Sequence, residues 1–117
     1  MRHLVKGRKL NRTSSHRASL MSNLSISLVK HKRIVTTEPK AKELRRFIER
    51  LITYAKKDNL HGRRLIMSKI KGSLKKEIAN TLIHDIAPNY SDRNGGYTRI
   101  IKLANRKNDD AAMSIIE

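Results

Sequence analysis

The chain contains no cysteine, which excludes disulfides, thiolate nucleophiles, redox pairs and every cysteine-based zinc site together. Glutamine is also absent, and the aromatic residues are Phe47, Tyr54, Tyr90 and Tyr97 alone, 3% of the chain. Four rings are too few for a platform that stacks successive bases of a single strand, and none lies in an RNP1-like pattern. No stretch approaches the roughly 18 consecutive apolar residues of a membrane span. The opening Met1-Arg2-His3-Leu4-Val5-Lys6-Gly7-Arg8-Lys9 has no apolar signal-peptide core. A soluble cytoplasmic protein is expected.

Negative charge is scarce as well. Ten Asp and Glu face 27 Lys and Arg across 117 residues, a net charge of +17. A chain of this length fits one domain, and its 38% of hydrophobic residues can fill one modest core. Positive charges in that excess repel one another in a small sphere, so a polyanion is the expected partner, and nucleic acid the expected polyanion. The excess is unevenly spread. Residues 1–37 carry Arg2, Lys6, Arg8, Lys9, Arg12, Arg17, Lys30, Lys32 and Arg33 without one carboxylate. Such a segment cannot neutralise itself and reads as an interaction arm. On composition alone it also fits a transit peptide, which is equally Arg- and Ser-rich and poor in acids.

Residues 1–13 show no helical or strand period and are expected to be extended. Ser14-Ser15 can cap a helix whose apolar positions Ala18, Met21, Leu24 and Leu28 form a narrow stripe, with Ser19, Ser22, Asn23, Ser25 and Ser27 on the polar remainder. His31-Lys32-Arg33 suits the negative pole of that helix. Ile34-Val35-Thr36-Thr37 reads as a short buried strand. Next comes the clearest element, an amphipathic helix of about 18 residues. Thr37 is its candidate N-cap, Glu38-Pro39 suits a first turn, and Ala41, Leu44, Ile48, Leu51, Ile52 and Ala55 form its apolar stripe. Lys42, Arg45, Arg46, Glu49 and Arg50 lie on its outer face, where Arg45 and Glu49 stand four apart.

Asp58-Asn59 can start a further helix with Leu65, Ile66 and Ile70, broken at Gly72. Ser73 can cap another, with Leu74, Ile78, Leu82 and Ile86 in steps of four, ended by Pro88. Residues 89–96 are a loop by every breaker signal. Tyr97–Leu103 and Ala112–Ile116 have strand composition and a turn between them, which predicts an antiparallel hairpin. With Ile34–Thr37 the hairpin gives a three-stranded sheet. The predicted fold class is α/β in the α+β sense, four or so helices around a small sheet, with an extended basic arm at 1–13 and one globular domain at 14–117.

Catalytic patterns are missing. His3, His16, His31, His61 and His84 show no metal-ligand spacing, and Gly95-Gly96 is not followed by a phosphate-loop Lys. The carboxylates mostly sit beside Lys or Arg, as ion-pair members do. No enzyme, no metal and no cofactor are expected. Basic helix faces and Ser/Thr/Asn-rich interleaving instead suit contacts to phosphate and ribose of a folded nucleic acid, although any single surface Lys or Arg is equally well read as solvated. Tyr97 can pack on the sheet or stack on a base.

The opening Met1-Arg2-His3, then Gly7-Arg8-Lys9-Leu10-Asn11-Arg12, Ser14-Ser15-His16-Arg17, Thr36-Thr37-Glu38-Pro39-Lys40-Ala41-Lys42-Glu43-Leu44-Arg45-Arg46 and Gly95-Gly96-Tyr97-Thr98-Arg99-Ile100 resemble the bacterial large-subunit ribosomal protein seventeen family. The resemblance begins at Met1 and argues against a transit peptide; Leu4-Val5 depart from it, standing where some relatives are more basic. It implies a structural protein that binds the large-subunit (23S-type) rRNA near the peptide exit side and contacts ribosomal protein thirty-two, within an α/β fold. On that reading Arg2, Arg8, Lys9, Arg12 and Arg17 are the first candidates for phosphate contact, and Asn11, Ser14, Ser15 and His16 for neutral or ribose hydrogen bonds. Arg45, Arg46, Arg99 and Lys102 come second, and His3, Lys6, Lys40, Lys42, Arg93 and Tyr97 complete the RNA-binding set. The rival class is a free-standing DNA-binding regulator or nucleoid protein using residues 60–86 as a helix-turn-helix. Against it, Ser73-Leu74-Lys75-Lys76-Glu77 offers little base-reading chemistry.

Overall fold

The computed structural model describes residues 7–117. Arg2, His3 and Lys6 of the candidate set lie outside the described residues. Helix α1 (Ser14–His31) is followed by strand β1 (Ile34–Thr37), helices α2 (Glu38–Lys56), α3 (Leu60–Lys69) and α4 (Lys75–Thr81), and then by the hairpin strands β2 (Ile100–Lys102) and β3 (Met113–Ile116). The sheet runs β1-β3-β2, antiparallel throughout, with β3 in the centre. Helices segregated from an antiparallel sheet make this an α+β fold. Among the described residues no helix is long and apolar enough to cross a membrane.

α2 organises the core. Ala41, Leu44, Ile48, Leu51, Ile52 and Ala55 are all buried along one stripe, where they meet Leu28 and Val29 of α1, Ile66 of α3, Ile78 of α4 and Ile116 of β3. Thr37 is its N-cap residue, but the Thr37 side chain makes no capping bond; the Glu38 backbone N–H instead donates to Ala112 O at 2.9 Å, so the chain leading into β3 caps the helix. Gly62 lets α3 approach α2 closely, since a Cβ there would lie 2.6 Å from the Tyr54 carbonyl oxygen.

Several expectations need correction. The α1 cap is Thr13, whose side chain accepts from the His16 N–H; Ser14 and Ser15 are already helical. Ser22 and Ser25 are fully buried rather than on a polar face. Ser22 Oγ accepts from the Lys71 N–H at 2.8 Å and so ties α1 to the α3–α4 link. β1 is not a buried strand, because its second residue, Val35, points away from the helices and is exposed. The α4 cap residue is Leu74, without a side-chain bond, not Ser73. Pro88 does not end the helical path: after α4 the backbone widens into a π-turn over Leu82–Ile86, then tightens into a 3-10 turn over Ala87–Tyr90. Proline brings a bulky ring and no N–H, so the ladder shifts to Ala87 N–H on Leu82 O, and the Asn89 side chain donates to Asp85 O. β2 is shorter than Tyr97–Leu103, although Arg99 and Glu117 exchange backbone hydrogen bonds and Leu103 donates to Met113 O beyond its two ends.

Candidate nucleic-acid interface

Residues 7–13 are not fully extended. Leu10 and Asn11 both adopt left-handed backbone (φ 53° and 54°), and the Arg12 N–H donates to Lys9 O at 3.1 Å, which makes a tight turn before α1. Arg12 folds its own guanidinium onto that turn, donating to Leu10 O at 2.7 Å. Arg8 reaches Glu43 on α2 at 3.0 Å and fastens the turn to the helix.

This turn, the start of α1, the middle of α2 and the end of α3 enclose an open groove of about 1020 Å³. Ser14, Arg17, Arg46, Arg50 and Lys69 line its polar walls, and Leu10, Ala18, Met21 and Phe47 its apolar parts. Its one carboxylate, Glu43, is already held by Arg8, whereas Arg17, Arg46, Arg50 and Lys69 have no carboxylate partner among the described residues. The N-terminal turn of α1, which has no acidic residue, opens beside them. Four cations and a helix N-terminus around a trough with an apolar lining favour a polyanion with phosphates along its track. The groove thus brings together Ser14, Arg17 and Arg46 of the candidate set.

The other candidates are placed elsewhere. Lys9, Asn11, Ser15 and His16 are exposed along the turn and the first turn of α1. Lys40 is half-buried, and Arg45 is exposed on α2. Lys42 and Lys102 both face Glu38, at 3.0 and 3.9 Å; the hydrogen bond from Lys42, aided by the charges of Lys102 and Arg8, holds that carboxyl below its ordinary range. Arg99 pairs with Glu117 at 3.2 Å, beside Arg33 at 2.6 Å. Hydrogen bonding from Arg33 is the main reason that the Glu117 carboxyl is held low. Arg93 lies with its guanidinium 5.5 Å from the Tyr90 ring centroid.

Tyr97 is a packing residue. Its ring is buried edge-on against Tyr90, with centroids 5.3 Å apart, and Lys56 Nζ donates to its hydroxyl at 3.0 Å. Its backbone N–H donates to Glu49 Oε1 at 2.8 Å. Glu49 therefore does not pair with Arg45 along the outer face but turns to the loop preceding β2, where it also accepts from the Thr98 N–H at 3.4 Å. Two groove residues outside the candidate set, Arg50 and Lys69, had a partial sequence signal: Arg50 follows Arg46 by four, one helical turn along the same face. Lys69 enters only through the packing of α3 on α2.

Fold and groove define a small, strongly cationic α+β protein in which four cations without a carboxylate partner among the described residues line one trough. Within that class, residues 20–117 match the model of the family described as Ribosomal protein L17. The large ribosomal subunit protein bL17 of Orientia tsutsugamushi (strain Ikeda) is 54% identical over 117 residues, covering 100% of this chain and 79% of its own. That of Sulfurovum sp. (strain NBC37-1) is 55% identical over 117 residues, covering 100% and 98%, and that of Wolbachia sp. subsp. Drosophila simulans (strain wRi) 52% over 118 residues, covering 100% and 82%. The chain belongs to the ribosomal protein L17 family.

Proposed function

We propose that the chain is a structural, non-catalytic constituent of the bacterial large ribosomal subunit, located there in the cytoplasm, and that it holds large-subunit rRNA by its phosphate backbone. The observation that carries the mode of binding is the groove, in which Arg17, Arg46, Arg50 and Lys69 converge without carboxylate partners among the described residues. Family membership supports the ribosomal setting, and the named relatives are large-subunit proteins, which gives no support to the DNA-regulator alternative. Residues 1–13 act as a basic arm on a globular part at 14–117. Arg2, His3, Lys6, Lys9, Asn11, Ser15 and His16 extend the groove's contacts, while Arg8 and Arg12 divide their bonding between RNA and the turn. Lys40, Lys42, Arg45, Arg93, Arg99 and Lys102 form a second, weaker set, and neighbouring subunit proteins, ribosomal protein thirty-two among them, complete the partners.

Co-sedimentation with the large subunit after a high-salt wash tests the ribosomal assignment. RNA binding across a salt series tests the groove: each phosphate contact contributes a log–log slope of about −0.7 to −0.9, so removing Arg46 and Arg50 together lowers the slope by about 1.4 to 1.8 units. An unchanged slope would remove the groove from the interface.

A further inference from the structure

The two long helices that frame the groove present one pattern to it twice. Ser14, Arg17, Ala18 and Met21 of α1 line it in steps of three, one and three, and Glu43, Arg46, Phe47 and Arg50 of α2 line it in the same steps. Such spacing keeps each set on a single helical face. Each helix therefore puts a cation directly beside an apolar side chain: Arg17 adjoins Ala18, and Arg46 and Arg50 flank Phe47. Phe47 is the one aromatic residue lining the groove, and it is half-buried, resting on the core with only part of its ring.

Phosphates account for the cations but not for the apolar side chains set between them. A phosphate oxygen gains nothing from Phe47, Met21 or Leu10, and a track for the backbone alone is served by polar walls. A nucleobase fits both halves of the pattern, because its flat face stacks on a ring while its polar edge accepts from a guanidinium. Four rings make no platform for successive bases, yet one ring is enough for one base. In a continuous A-form helix that face is already stacked on the neighbouring pairs, so the base must come from a loop, bulge or strand end. We propose that the groove selects an unstacked nucleotide of the large-subunit rRNA, its base lying on Phe47 and the adjoining phosphates held by Arg17, Arg46, Arg50 and Lys69. The proposal rests on the phosphate-binding groove described above and adds to it the feature of the RNA that the groove recognises.

The chain contains no tryptophan, so Phe47→Trp in the full chain creates a single reporter. Large-subunit rRNA should quench its emission, whereas inorganic polyphosphate and a fully paired RNA duplex, which carry the charge without a free base face, should leave it unchanged. Independently, Phe47→Leu keeps an aliphatic side chain against the core and removes the ring. Its affinity for the rRNA should fall about fivefold or more, with the salt slope of the wild type because no phosphate contact is lost, and Phe47→Tyr should restore binding. The tryptophan readout stands whatever the stability of the leucine variant. Wild-type affinity in Phe47→Leu, no quenching by rRNA, or equal quenching by polyphosphate or duplex would each overturn the proposal. If the slope still falls on removal of Arg46 and Arg50, the phosphate-binding groove survives that failure; if the slope is unchanged, the groove and the proposal fall together.

Discussion

Replacing Glu49 should cost more stability than replacing any other glutamate on α2, although the residue sits among arginines and is only partly buried. Its Oε1 accepts the Tyr97 N–H at 2.8 Å, a bond that fixes the loop entering β2. A hydrogen bond to an ionised acceptor contributes about 1.5–3 kcal/mol. The two Thr98 contacts, at 3.4 and 3.5 Å, lie at the limit of hydrogen-bond geometry and add little. Glu49→Ala should therefore cost about 2 kcal/mol. Glu49→Gln keeps a carbonyl acceptor and loses only the charge assistance, a loss of about 1 kcal/mol. In urea, with a slope of about 2 kcal/mol per molar, the alanine variant should shift the unfolding midpoint by about 1 M and the glutamine variant by about half that. Amide exchange at Tyr97 should accelerate in the same order. Glu77→Ala, exposed on α4, is the control and should be silent. If Glu49→Ala unfolds at the wild-type midpoint, or Glu49→Gln is as damaging as Glu49→Ala, the carboxylate does not hold the loop by the bond described.

Leu51→Ala should cost about 2–5 kcal/mol in denaturant unfolding through lost burial and a residual cavity, because Leu51 is 1% exposed. Arg46→Ala should change free-protein stability by less than about 0.5 kcal/mol while weakening RNA binding. Gly62→Ala should destabilise despite alanine's better helix propensity, since the atom facing the new Cβ is a backbone carbonyl at 2.6 Å that cannot swing aside; overpacking of this kind costs about 1–3 kcal/mol. Glu117 is held below its ordinary value of 4.5 by Arg33 and then Arg99, so its bridge contributes in full above that value and is lost as pH falls through the depressed one. Wild-type melting temperature should accordingly fall toward that of Glu117→Gln as pH drops below 4.5. Asp109, lowered from 3.8 to about 2 by Arg106, adds a loss within that lower window.

The elements legible in the sequence were those that a single period specifies. The α2 stripe from Ala41 to Ala55 and the β1 run Ile34–Thr37 carry their own pattern, and the structure keeps their boundaries to within a residue. The hairpin was legible because two β-branched runs flank a turn-rich segment. What escaped depends on contacts between distant segments. Ser22 looks like a solvent residue until α1 meets Lys71, forty-nine positions away. Glu49 has two partners available, Arg45 one turn back and the Tyr97 N–H across the fold, and local spacing names only the first. The π-turn arises from a conflict between a well-patterned helix and Pro88, and sequence shows the conflict without its resolution. The groove has the same origin, since its cations come from three helices.

The scarcity of acids gives each one weight. Of the glutamates on α2, Glu38 receives Lys102 of β2, Glu43 receives Arg8 of the N-terminal turn, and Glu49 receives the loop before β2. Glu117 performs the same service between Arg33 and Arg99 at the sheet edge. Each fastens a segment outside the helices to the frame that α2 and the sheet provide, so these carboxylates are occupied inside the molecule and unavailable to the groove cations. Surface pairs of this kind contribute little stability singly; their consequence is placement. Because these carboxylates are directed to the arm turn, the β2 loop and the sheet edge, none of them pairs with Arg17, Arg46, Arg50 or Lys69 where these four line the groove. A carboxylate introduced there, as in Ala18→Glu, would supply the partner these cations lack and should weaken RNA binding more than the loss of one surface lysine elsewhere, with the free protein still folded.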